Sequence, residues 1–187
     1  MKDPLELSVS FSLSGRHLVA TYAVINRQRR DAYLLNRLYR FTPEIEINPD
    51  IVYVHLDQGN RLVWLNKKVP DLPSGAMVTS PVAPFVTPLR SGSEFKEEFR
   101  ITVPVREYRE YSNALQDEQE PREEVYNGAY FSLGYYWRQD GTTEEEREID
   151  GTTVILTRAP TPYQPPEAGL LESPVTELDI PVLAPKS

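Results

Sequence analysis

The chain has 187 residues, no cysteine and a net charge of −8. That length suits one domain plus extensions, and a body of this size buries roughly 70% of its unfolded surface without covalent staples. Absent cysteine excludes disulfides, thiolate metal sites and cysteine nucleophiles. The acidic balance argues against nucleic-acid binding, whose affinity comes mainly from cationic contacts to phosphates.

The first residues lack the pattern of a secretory signal, because Lys2 is followed at once by Asp3, Pro4 and Glu6. No apolar run approaches the roughly 20 residues of a membrane helix. The expectation is a soluble chain with no membrane partner, cytoplasmic, or periplasmic had a signal peptide been removed. Leu5, Leu7, Val9, Phe11 and Leu13 then alternate with polar residues, which is the period of a half-buried strand. After the turn at Ser14-Gly15-Arg16, a second strand runs over residues 17–26, with Leu18, Ala20, Tyr22 and Val24 on one face. Residues 32–41 read as a third extended run, ended by Thr42-Pro43.

Residues 51–56 and 61–65 flank Asp57-Gln58-Gly59-Asn60 and read as a hairpin. Leu62 and Trp64 share a face, and Trp64 is expected in the core. Pro70, Pro73, Pro81, Pro84 and Pro88 follow, too dense for a central strand, so an irregular crossover is expected there. Alternation resumes through Phe95, Phe99, Ile101, Val103 and Val105. Residues 106–124 read as a polar loop carrying Tyr108, Tyr111 and Leu115. Residues 129–138 form a strong strand, with Phe131, Leu133, Tyr135 and Trp137 on one side. Asp140-Gly141 and Asp150-Gly151 mark tight turns, the Glu144-Glu145-Glu146 run between them reads as a loop or charged edge, and residues 152–158 form the last core strand.

From residue 159 the composition shifts, with seven prolines in the final 29 residues. Leu178, Ile180, Val182 and Leu183 make this segment more apolar than a plain linker. It is expected to dock along a sheet edge, because Pro174 and Pro181 do not suit a central strand. Docking occurs either on its own body or on a neighbouring copy, the second giving a homodimer.

The order of Tyr22-Ala23-Val24-Ile25-Asn26, the hairpin from Val54 to Trp64, and Pro88-Leu89-Arg90-Ser91-Gly92-Ser93 before a late strand resembles bacterial immunoglobulin-like domains of the intracellular proteinase-inhibitor type. The resemblance covers about residues 5–105, and long insertions at 66–90 and 106–124 depart from it. About eight strands separated by turn residues, with almost no helical signal, predict an all-β, antiparallel two-sheet sandwich over residues 1–158 with a proline-rich C-terminal extension over 159–187, and the resemblance implies that this sandwich is immunoglobulin-like. It implies protease inhibition only by analogy, because such sandwiches carry many functions.

Of catalytic or cofactor chemistry the residues offer little. His17 and His55 form no metal-ligand spacing. No Gly-x-Ser-x-Gly elbow, dinucleotide fingerprint or Walker loop is present. The carboxylates cluster in runs such as Glu118-Gln119-Glu120 rather than as isolated pairs, and the spacing of an EF-hand is missing. No catalytic, cofactor or metal residues are therefore assigned, and the chain is expected to be a non-enzymatic protein-interaction module of unknown partner. Three sets of residues are candidates for binding. Tyr130 and Tyr136 lie on the outer face of their strand, where exposed rings stack on sugars or anchor a partner; a carbohydrate-binding domain is the alternative they support. Arg27, Arg29 and Arg30 form a basic patch, in a stretch from Arg16 to Arg40 that holds six arginines against only Asp31. Between Arg106 and Asp150 thirteen carboxylates face five arginines, so a basic patch meeting an acidic one is the sharper electrostatic reading. Leu178, Ile180 and Val182 are the third set.

Overall fold

The computed structural model describes residues 5–72, 82–111, 121–160 and 167–185. The protein is all-β, with several antiparallel sheets and no helix among the described residues. Among the described residues no helix is long and apolar enough to cross a membrane. Of the expected features, Pro73, Pro81, Leu115 and the run Glu118-Gln119-Glu120 lie outside the described residues.

The alternation at the start of the chain becomes β1 (Glu6–Ser14) and β2 (His17–Ile25), an antiparallel hairpin turned by Gly15 at φ 57°. The outer side of β2 pairs with β9 (Glu94–Thr102) to complete a three-stranded sheet in the order β1-β2-β9. Residues 32–41 are not one strand: β3 (Ala32–Arg37) and β4 (Tyr39–Phe41) are separated at Leu38. Leu38 turns inward to pack in a small cluster with Ile51 and Tyr53, and β4 pairs separately with β5 (Ile45–Ile47). The expected hairpin is β6 (Tyr53–Asp57) and β7 (Leu62–Lys67).

The larger sheet is organised by β11 (Arg122–Trp137), a 16-residue strand whose first three residues were expected in a loop and whose next four were assigned to no element. Along one edge, β7 runs parallel to residues 128–133 of β11, and β3 then runs antiparallel to residues 135–137. Along the other edge lie β14 (Ala168–Glu172), paired with residues 132–136, and β15 (Thr176–Ala184), paired with residues 122–129. The register of β15 slips at Tyr126/Gly128. A Cβ on Gly128 would stand 2.7 Å from the Thr176 carbonyl oxygen, so the close approach at this bulge requires glycine. β3 continues the sheet through β8 (Phe85–Leu89), β13 (Thr152–Arg158) and β12 (Thr143–Ile149), the charged edge that carries Glu144 to Glu146.

Two expectations about proline are corrected. Pro88 sits inside β8, opposite Tyr33, rather than in an irregular crossover. Pro181 sits inside β15, which lies between β11 and the two-residue β10 (Val105–Arg106) rather than at a free edge. Both strands have a second neighbour over only one or two residues, so a missing N–H is tolerated.

Leu18, Ala20, Tyr22, Val24 and Phe99 of the small sheet join Val54, Val63, Leu65, Phe131, Leu133, Ile180 and Val182 of the large sheet in one hydrophobic cluster. Val9, Phe11 and Ile101 pack against it partly buried. Trp64 does not belong to it. Val63 and Leu65 point inward, so Leu62 and Trp64 occupy the outer face. A charged group does enter the core. Lys67 follows Val63 and Leu65 on the inward face of β7, is fully buried, and pairs at 2.5 Å with Glu97 of β9.

Candidate functional site

The outer face of the β6–β7 hairpin forms one wall of a cleft of about 340 Å³. Its opposite wall is the segment from Tyr108 to Tyr111. That segment is fastened along β6 by a two-way backbone bridge: Val54 N donates to Tyr108 O at 2.8 Å, and Tyr108 N donates to Val54 O at 3.0 Å. Lys68, Pro70, Asp71 and Leu72 border it as the chain leaves β7.

Aromatic rings make the walls. Trp64 stacks on Tyr130 with ring centres 5.9 Å apart and planes 6° from parallel, while its Nε1 donates to Ser132 Oγ at 2.8 Å. Lys68 Nζ lies 5.3 Å from the Trp64 ring centre and pairs with Asp71 at 2.6 Å. Tyr108 stacks on Tyr53 at 5.9 Å and carries the Arg40 guanidinium 4.4 Å from its ring centre. Rings held by such contacts lose little side-chain freedom on binding.

Polar groups stand among the rings. The Tyr53 side chain is almost fully buried, and its hydroxyl has no hydrogen-bond partner among the described residues. A buried donor left unpaired costs about 1–3 kcal/mol. Burial pushes the Tyr53 phenol up from its ordinary value, and Glu110 adds to the effect. Burial also holds the Glu110 carboxyl above the usual carboxylate range, with Arg40 pulling the other way. Perturbed groups gathered in a concave aromatic cleft make it the candidate site. At the mouth, His55 Nδ1 lies 2.9 Å from the Glu107 carboxylate, which Arg109 also meets at 2.6 Å.

The three sets of residues expected to bind partners are placed differently. Tyr130 reaches this region through Trp64, but Tyr136 does not. Tyr136 is half-buried against Tyr33, with ring centres 5.1 Å apart, and its hydroxyl is hydrogen-bonded to Thr157. It offers no open platform, because side chains from β3 and β13 in its own sheet pack against it. Ile180 and Val182 are fully buried in the chain's own core and Leu178 packs beside them, so these residues are not a surface for another copy. The arginine patch is largely paired within the chain. Arg27 meets Glu6 at 2.9 Å, and Arg30 meets Glu167 at 2.8 Å while lying over Trp137. Arg29 is exposed. Where an acidic strand does meet arginine, the partners are Arg90 and Arg138, which bracket Asp31 and Glu144.

Sequence reasoning missed Tyr53, Tyr108 and Glu110 as a group. The only local signal was the pair Tyr108 and Tyr111 in an otherwise polar stretch. Comparison with known proteins returns no matching family, no curated protein and no solved structure.

Proposed function

We propose that the chain is a non-enzymatic binding module, built as an immunoglobulin-like β-sandwich, whose cleft beside Trp64 takes a short saccharide. The observation that carries this reading is the Tyr53 hydroxyl, buried and unpartnered in a wall of aromatic rings. A sugar offers both complements at once, a hydroxyl for that group and C–H groups for the aromatic lining of Trp64 and Tyr108. The volume of about 340 Å³ falls in the range of small-ligand sites. A protein partner needs about 800 Å² of surface per side, and Ile180 and Val182, expected to supply part of one, are enclosed in the core. The cleft presents rings and a desolvated carboxyl, Glu110, which suits binding.

Calorimetric titration against a panel of mono- and oligosaccharides tests the proposal. A binder in the panel should lose about tenfold or more in affinity with Tyr53→Phe, equivalent to about 1.4 kcal/mol, while the melting temperature holds. If no saccharide binds at millimolar concentration, or if binding is indifferent to Tyr53→Phe and Trp64→Ala, the proposal fails.

A further inference from the structure

Three inward-facing positions carry polar residues inside otherwise apolar stripes. Lys67 follows Val63 and Leu65 on β7, Glu97 stands between Phe95 and Phe99 on β9, and Asn36 follows Ala32 and Leu34 on β3. The topology brings them together. Leu34 pairs with Tyr135 in the antiparallel β3–β11 ladder, so two residues further on Asn36 would face Leu133; but Leu133 is already paired with Lys67 of the parallel strand β7. β3 therefore peels away from β11 where β7 takes its place, and Asn36 and Lys67 share one rung of the fork. The β3–β8 register shift between Leu34 and Arg37 falls at the same point.

The surroundings suit a reaction rather than a resting ion pair. Lys67 Nζ is completely buried, 2.5 Å from Glu97 Oε1 and 5.0 Å from the centre of the Phe99 ring; it also donates to Pro49 O at 2.8 Å, and Arg37 lies 3.4 Å from the other Glu97 oxygen. Tyr22 donates to the same Glu97 oxygen at 2.9 Å. Asn36 is 1% exposed, yet among the described residues neither its Nδ2 nor its Oδ1 has a hydrogen-bond partner. A buried carboxamide left wholly unpaired is rare and costly. It nonetheless lies beside the cluster. Burial drives the Tyr22 phenol well above its ordinary value and Glu97 adds to this, while the Asn36 carboxamide, near but outside hydrogen-bond geometry, acts in the opposite direction. Burial likewise lowers the pKa of Lys67, against the pull of Glu97, which favours the neutral amine.

We propose that Lys67, Glu97 and Asn36 form an autocatalytic centre that joins Lys67 Nζ to Asn36 Cγ in an intramolecular amide. Glu97 takes a proton from the Lys67 ammonium, so that these two groups become neutral while Arg37 keeps its charge at the outer side of the cluster. The freed lone pair attacks Asn36 Cγ, and a C–N bond forms. A proton of the attacking nitrogen is relayed through Glu97 to Asn36 Nδ2, the Cγ–Nδ2 bond breaks, and ammonia leaves. One amide and one ammonia replace an amine and a carboxamide, with Glu97 left protonated. No oxidant, metal or cofactor takes part. The product removes both the desolvated charge pair and the orphaned carboxamide, two of the costliest features of the core. It also ties β3 to β7 where β11 changes partners, a cross-link that constrains the unfolded chain.

Mass spectrometry of the denatured full chain tests the proposal. The intact mass should lie about 17 Da below that of the sequence, the loss of one ammonia. A tryptic digest should contain one branched peptide joining Lys67 to Asn36, with no cleavage after Lys67. Asn36→Ala and Glu97→Gln should each restore the full mass and free both peptides. A wild-type chain of full mass overturns the proposal. So does a mass loss with Lys67 still free, which signifies ring closure at an asparagine instead. A branched peptide that persists in Glu97→Gln overturns the relay assigned to Glu97. If either variant fails to fold, the wild-type mass and peptide pattern alone decide.

Discussion

Removing everything after Ala159 deletes β14 and β15, which occupy one whole edge of β11 from residue 122 to residue 136. Leu171, Ile180 and Val182 go with them, all buried in the main cluster. Burial of each such side chain contributes about 1.5–3 kcal/mol, so these three carry about 4–9 kcal/mol between them. The whole stability of a domain is about 5–15 kcal/mol. The truncated chain should therefore lose its cooperative melt, and the exposed edge of β11 should promote aggregation. A milder version separates packing from strand loss. Ile180→Ala leaves every backbone hydrogen bond in place and should cost about 2–5 kcal/mol, which for a chain of this size lowers Tm by about 4–20 °C. Thermal unfolding followed by circular dichroism reads both. If the truncated protein melts as sharply and at the same temperature as the full chain, these strands are not part of the core and the topology is wrong.

Gly128→Ala should destabilise by about 1–3 kcal/mol, because its Cβ would meet the backbone oxygen of Thr176 rather than a yielding side chain; urea unfolding gives the value, and an unchanged midpoint would refute the bulge geometry. A pH dependence follows from Asp31 and Glu144. Hydrogen bonding from Arg90 is the largest influence on Glu144, and its carboxyl sits below the usual range. Burial alone would raise Asp31, but the Ser91 N–H, Arg90 and Arg138 outweigh it and hold it low. Groups depressed in this way stabilise the fold fully above their unfolded pKa values, and the contribution is lost as pH falls through the folded ones. The stability gap between the wild type and Glu144→Gln should thus be widest near neutrality and shrink below about pH 4; a gap that stays constant down to pH 2 would contradict the pairing. Tyr53→Phe should leave stability unchanged or raise it slightly, since the substitution removes an unpaired buried hydroxyl, and a loss of more than about 1 kcal/mol in denaturant unfolding would show that the hydroxyl is partnered.

The strands with one polar face were plain in the sequence, because alternation in β1 and β2 assigns each side chain a side. Trp64 was misplaced because both faces of β7 are apolar. Leu62 and Trp64 alternate with Val63 and Leu65, and only the pairing with Ala129 and Phe131 selects the inner set. The start of β11 was hidden by Glu123 and Glu124, whose charges fit a loop as well as a strand. Pro88 and Pro181 argued against strands that exist, since tolerance of proline depends on which neighbour reaches the residue. The cleft was not legible: Tyr53, Trp64 and Tyr108 come from distant segments and meet through the Val54–Tyr108 bridge. The buried cluster did leave a trace. Lys67, Glu97 and Asn36 each interrupt an apolar stripe, and a polar group at an inward position needs a partner. That trace names no partner, because Lys67 and Glu97 lie 30 residues apart and meet only across two sheets.

The binding reading is tested most directly by the two tryptophans, which report on different parts of the molecule. Trp64 lines the cleft and donates its indole N–H to Ser132, whereas Trp137 is buried beneath Arg30. Nuclear magnetic resonance resolves their two indole N–H signals as a saccharide is titrated. The Trp64 signal should move in proportion to saturation while the Trp137 signal stays fixed. Movement of Trp137 alone, or of neither signal in the presence of a saccharide shown to bind, would place the ligand elsewhere and contradict the assignment of the cleft.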